Sequence, residues 1–212
     1  MKLIFKTFAT LLVVASLAVT NQAYAKAKPG KALQDYVNQL QTFKADFVQT
    51  QPDEELFQTN QSTGHFELNR PGKLTWQYFQ PEQQKIVVDG HNLWVYDQDL
   101  DQVTVRPIND IKAELPLSWL LYRDPIQDKF SIIESGDKNG LQWFNLTPKA
   151  PTYFQSIDVG MRDGEMVEVK MYQSPTNVTN VKFKNIQSNQ VIPYKNFEFK
   201  MPEGADLVGT PQ

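Results

Sequence analysis

The groups that could do chemistry are few. His65 and His91 are the only two histidines, and none of the 212 residues is a cysteine. Thiol nucleophiles and thiolate metal ligands are therefore excluded. There is no Gly-x-Ser-x-Gly elbow and no Gly-rich phosphate loop. Each histidine stands alone at the start of a strand or in a turn, outside any zinc spacing, and reads as a surface residue. Asp97, Asp99 and Asp101 occupy the first three ligand positions of a calcium loop. The sixth position of such a loop needs Gly and the twelfth a bidentate Glu, but here they are Gln102 and Ile108. The three aspartates therefore read as a solvated hairpin turn. The sequence predicts no catalytic residue, no metal site and no cofactor.

Apolar surface is abundant instead. Thirteen Phe, eight Tyr and four Trp are concentrated in segments that alternate like strands. A net charge of -3 lacks the clustered cations that nucleic-acid phosphates require, so no nucleic-acid partner is expected.

The elements that must position these side chains follow from periodicity. Leu33, Tyr36, Val37 and Leu40 recur at i, i+3, i+4 and i+7, which predicts a helix over Lys31–Gln41. From Phe43 the period becomes two. Strands are expected from Phe43, over Gly64–Asn69, Lys73–Phe79, Lys85–Val88, Leu93–Asp97 and Val103–Arg106, with a polar loop or hairpin tip over Pro52–Gln61. Leu74, Trp76 and Tyr78 share one strand face. Trp76 and Trp94 are expected on neighbouring strands. Pro107–Asp128 reads as helical. Strands return over Phe130–Glu134, Leu141–Thr147, Tyr153–Val159, Glu165–Tyr172, Val181–Ile186 and Phe197–Met201, with a helical turn over Pro193–Asn196. The class is α+β, dominated by one large curved antiparallel sheet. The few helices could cap its concave face without filling it, leaving an apolar cavity under a helical lid.

The N-terminus reads as a signal peptide over residues 1–25. Lys2 and Lys6 precede the apolar stretch around Leu11–Val19, and Ala23-Tyr24-Ala25 is a small-x-small cleavage site. That stretch is shorter than the ~20 residues a membrane span needs. Residues 26–212 suit one domain, expected in the periplasm.

Several pieces in order resemble the LolA family of outer-membrane lipoprotein carrier proteins. They are Phe43-Lys-Ala-Asp-Phe47-Val-Gln49, Gly64-His-Phe66, Arg70-Pro-Gly-Lys-Leu-Thr-Trp76, Ile86-Val-Val-Asp-Gly-His-Asn-Leu-Trp-Val-Tyr-Asp97, Leu146-Thr-Pro-Lys149 and Met201-Pro-Glu-Gly204. The resemblance implies an incomplete antiparallel β-barrel closed by short helices. It implies a monomeric, non-catalytic chaperone that takes acylated lipoproteins from an inner-membrane ABC transporter to an outer-membrane receptor. Arg70 would close the lid by donating to helix carbonyls, with partners among Leu117, Leu120 and Leu121 and, more weakly, Val37. Leu74, Trp76, Tyr78 and Trp94 would line the acyl cavity. Leu74 departs from the family, which often has Phe there.

Three alternatives compete. The fold-sharing outer-membrane receptor needs a cysteine at its cleavage site, which this chain lacks. A lipid-binding or lipoprotein-sensing protein of the same fold is the second, and a lipid or glycan hydrolase using Asp97 and Asp101 is the third.

Overall fold

The computed structural model describes residues 30–53, 58–111 and 117–212. The expected signal peptide lies outside them, as does Pro116. Among the described residues, no helix is long and apolar enough to cross a membrane.

The chain opens with α1 (Lys31–Gln39), whose buried Leu33 and Val37 form the expected apolar stripe. Six strands follow: β1 (Thr42–Asp53), β2 (Gln58–Asn69), β3 (Lys73–Gln80), β4 (Gln84–Val88), β5 (Asn92–Asp97) and β6 (Gln102–Pro107). Three short helices come next: α2 (Ile108–Ile111), α3 (Ser118–Leu121) and α4 (Ile126–Lys129). The second half contains β7 (Phe130–Lys138), β8 (Leu141–Pro148), β9 (Ser156–Arg162), β10 (Glu165–Tyr172) and β11 (Val178–Ser188). A 3-10 turn (Tyr194–Phe197) and β12 (Asp206–Val208) end the chain.

All twelve strands join one sheet in the order β12-β6-β5-β4-β3-β2-β1-β11-β10-β9-β8-β7. Every pairing is antiparallel except β12 with β6. The terminal strands β12 and β7 do not pair with each other, so the barrel stays open. Because β6 lies near one edge and β7 forms the other, the chain between them must cross from edge to edge. That crossing contains α2, α3 and α4. The expected α+β class and incomplete barrel are those found.

Alternation sorts the strands into two faces. Phe43, Ala45, Phe47, Phe66, Leu68, Leu74 and Trp76 point into a continuous core with Val159, Val169, Val181 and Phe183. Its centre is aromatic: Trp76 meets Phe47 edge-on at 5.5 Å and Phe66 at 5.2 Å. Gly64 lies opposite Phe47, where an added Cβ would come 2.6 Å from the Phe47 ring. A smaller second core forms on the outer face. There the C-terminal segment is bound by Thr75 donating to the Asn196 carbonyl at 2.8 Å, and by Asn196 donating to Glu67 at 2.8 Å.

Several boundaries differ from expectation. The stretch expected as a polar loop or hairpin tip over Pro52–Gln61 is, among its described residues, the end of a long hairpin: β1 continues to Asp53, which pairs with Gln58 at the start of β2. Hydrophobic alternation is lost there while the hydrogen-bond ladder continues. Among the described residues of Pro107–Asp128, the helical expectation is met by short helices at Ile108–Ile111, Ser118–Leu121 and from Ile126. Phe197–Met201 is not a strand: Phe197 is buried and Phe199 stacks on Trp94 as irregular chain, while Met201 is exposed. The helical turn before it is found at Tyr194–Phe197. The short strand β12 is not visible in the sequence pattern.

Candidate functional site

Arg70 follows β2 in a tight turn, and its side chain is buried at 5% exposure. The last four carbonyls of a helix lack intrahelical partners. Nη1 of Arg70 donates to two carbonyls at the C-terminal end of α1, those of Val37 and, at 2.9 Å, of Leu40. Nη2 donates to the carbonyl of Tyr122, immediately after α3. One guanidinium thus ties α1 and the crossing segment to the sheet, and its charge complements the negative end of the α1 dipole. Burial lowers the pKa of Arg70 from its ordinary value, with nearby Arg123 acting in the same direction. Two more bonds reinforce the junction: Gly72 N–H donates to the Leu121 carbonyl at 2.8 Å, and Arg123 donates to the side chain of Gln41.

Arg70 and Val37, both singled out in the sequence, are thus in contact. The three leucines do not accept the guanidinium. Leu117, Leu120 and Leu121 are buried in the core, and the acceptors in their place are Leu40 and Tyr122. Sequence reasoning misses these two because backbone carbonyls have no residue identity. The available signal was positional, since Leu40 ends an amphipathic helix.

Leu74, Trp76 and Tyr78 line a cavity of about 180 Å³ between the sheet and α3, together with Ile86, Leu121 and Met171. The Trp76 indole nitrogen is buried with no hydrogen-bond partner among the described residues. Tyr78 donates to Gln49 at 3.1 Å, and burial pushes its hydroxyl pKa well above the usual range.

Trp94 does not line this cavity. In β5, Leu93 and Val95 belong to the concave core, and Trp94 between them points outward. It stacks on Phe199 with centroids 4.9 Å apart and donates to Asp89 at 2.7 Å. Nor are Trp76 and Trp94 on neighbouring strands, since β4 separates β3 from β5. His65 also faces outward, 2.8 Å from Asp46. Among the described residues no group of His, Asp and Glu is placed to bind a metal.

These features define a class: an open, curved antiparallel sheet capped by short helices, with a buried arginine bonded to carbonyls at the helix ends and an apolar cavity on the concave face. A family model for "Outer membrane lipoprotein carrier protein LolA" matches residues 38–200. The outer-membrane lipoprotein carrier protein of Methylobacillus flagellatus is 33% identical over 201 residues, covering 91% of this chain and 98% of its own. That of Dechloromonas aromatica is 32% identical over 178 residues, covering 84% and 86%. An uncharacterized conserved protein from Thermus thermophilus shares the fold at 10% identity, with a TM-score of 0.54 over 84% of this chain and 96% of that one. The chain belongs to the LolA family.

Proposed function

We propose that this protein is a periplasmic carrier that shields the acyl chains of lipoproteins in transit to the outer membrane. It receives them from an inner-membrane ABC transporter and yields them to an outer-membrane receptor. Residues 1–25 direct export and are removed. The carrier works as a monomer with no catalytic step. Exposing three acyl chains of roughly 15 methylenes each to water costs on the order of 30–40 kcal/mol, so an unaided crossing does not occur. Leucine and aromatic side chains shield such chains without directional bonds, which suits passengers that share only their lipid.

The observation that supports this reading is the buried Arg70, bonded to carbonyls of two helix ends, beside an apolar cavity. A cavity of about 180 Å³ is close to the ~150 Å³ that accommodates a single benzene ring. It cannot take three acyl chains. Loading therefore requires the helices to lift from the concave face, breaking the Arg70 bonds to Val37, Leu40 and Tyr122. The energy of those bonds opposes loading and favours release, so the passenger is held weakly enough to be handed on.

The test is a release assay. Spheroplasts making a labelled triacylated lipoprotein are mixed with the purified mature protein, with albumin as control. The carrier reading predicts a soluble one-to-one complex. A folded protein that releases nothing would leave a lipid-binding or sensing role for this fold.

A further inference from the structure

We propose that the concave face has a second, polar subsite that binds the extended peptide following the lipidated residue of the passenger; this rests on the carrier reading above. The observation is a change of chemistry at one level of the sheet. Along β1 and β2 the inward-facing pairs are first Phe43 with Leu68, Ala45 with Phe66 and Phe47 with Gly64. The next two are Gln49 with Ser62 and Gln51 with Asn60.

The same switch occurs in the flanking hairpins. Trp76 opposite Ile86 gives way to Tyr78 opposite Gln84. Val169 opposite Val181 gives way to Met171 opposite Thr179, and then to Gln173, whose N–H donates to the Asn177 carbonyl at 3.0 Å. One side of the barrel is thus apolar and the other is rich in amides, with the boundary at Tyr78 and Gln49.

The two regions are continuous. Gln49, Gln51 and Tyr78 line both the apolar cavity and a neighbouring cleft of about 800 Å³. Asn60, Gln84 and Asn177 complete the amide lining of that cleft. The Oδ1 atom of Asn177 is buried with no hydrogen-bond partner among the described residues.

A primary amide offers both a donor and an acceptor. A peptide backbone needs both at every residue, whatever its side chains are. A row of amides therefore reads a peptide without reading its sequence, as a carrier of varied passengers requires. Anionic lipid headgroups fit poorly. The described lining contains no Lys or Arg, whereas Asp53 and Glu82 contribute carboxylates.

The experiment compares two ligands in competition with a fluorescent fatty acid. One is a triacylated cysteine carrying a short neutral peptide; the other is the same lipidated cysteine as its N-methylamide. The wild-type protein should bind the peptide form about tenfold more tightly. The triple variant Asn60→Ala/Gln84→Ala/Asn177→Ala, whose residues line the cleft and not the apolar cavity, should lose that advantage while binding the N-methylamide as before. A benzophenone side chain at position 60 should crosslink to the peptide, and one at Asp163, in the β9–β10 turn, should not. Equal binding of both ligands by the wild type, or an undiminished advantage in the variant, overturns the subsite and leaves the carrier reading intact. Binding of neither ligand overturns both.

Discussion

Nη1 of Arg70 stands 2.9 Å from the carbonyl oxygen of Leu40 and also binds the Val37 carbonyl, so one side chain at the end of the central strand β2 caps the C-terminus of α1. Replacing Arg70 with Leu preserves bulk but strands buried carbonyls. Each costs about 1–3 kcal/mol when left unpaired, and lifting the helices returns them to water. Arg70→Leu should therefore favour the open form. Faster amide exchange in α1 and tighter binding of a fluorescent fatty acid are expected, with impaired delivery of lipoprotein to the outer membrane. Amide exchange followed by mass spectrometry checks the first.

Trp76 and Trp94 separate binding from stability. Trp76 is buried on the concave face beside the cavity, whereas Trp94 clamps the C-terminal segment by stacking on Phe199. Trp76→Ala should weaken acyl binding and destabilise the fold by about 3–5 kcal/mol. Trp94→Ala should cost about 1–2 kcal/mol through the lost stacking and area, with acyl affinity unchanged. Thermal melts paired with fatty-acid titrations distinguish the two.

Acid should loosen the outer face. Burial opposes ionisation of Glu67, but bonds from Asn196 and Lys44 outweigh it and place its pKa below the ordinary value. Asp89 is half-buried, and its bonds from Asn92, Trp94 and His91 have the same net effect. A folded-state pKa below the unfolded one contributes stability above the unfolded pKa, about 4.3 for Glu and 3.9 for Asp. That stability is lost as pH falls through the folded value. The melting temperature should therefore vary little with these groups between about pH 7 and 5, and fall below about pH 4. Glu67→Gln should flatten the acid limb.

Gly64 has no room for a side chain. An added Cβ would lie 2.0 Å from the Gln77 carbonyl oxygen as well as against the Phe47 ring. Gly64→Ala should cost about 1–3 kcal/mol or more as β2 and β3 shift apart, lowering the denaturant midpoint.

Local pattern made much of this architecture legible. The α1 stripe, the β10 boundaries and the shared face of Leu74, Trp76 and Tyr78 all follow from periodicity, because one face of each is buried. Legibility failed where both faces are covered. Leu93, Trp94, Val95 and Tyr96 are apolar or aromatic without interruption, so alternation cannot choose which points inward. The choice is made by pairing with β4 and by the C-terminal segment on the outer face. That segment also explains Phe197–Met201, where Phe197 and Phe199 pack on the outer face without forming a strand. In the polar ends of β1 and β2 the failure is the opposite: neither face is apolar, and only the ladder reveals strand. The carbonyl partners of Arg70 lie outside any side-chain pattern.

The central claim is that acyl chains enter between lid and sheet, and tryptophan quenching tests it most directly. Two proteins are compared, one retaining only Trp76 and the other only Trp94, with the remaining tryptophans changed to Phe. Each is loaded with a triacylated lipopeptide brominated along its chains. Strong quenching of Trp76 and little of Trp94 is the predicted result. Bound ligand that leaves Trp76 unquenched, or that quenches Trp94 instead, would place the chains elsewhere and contradict the account.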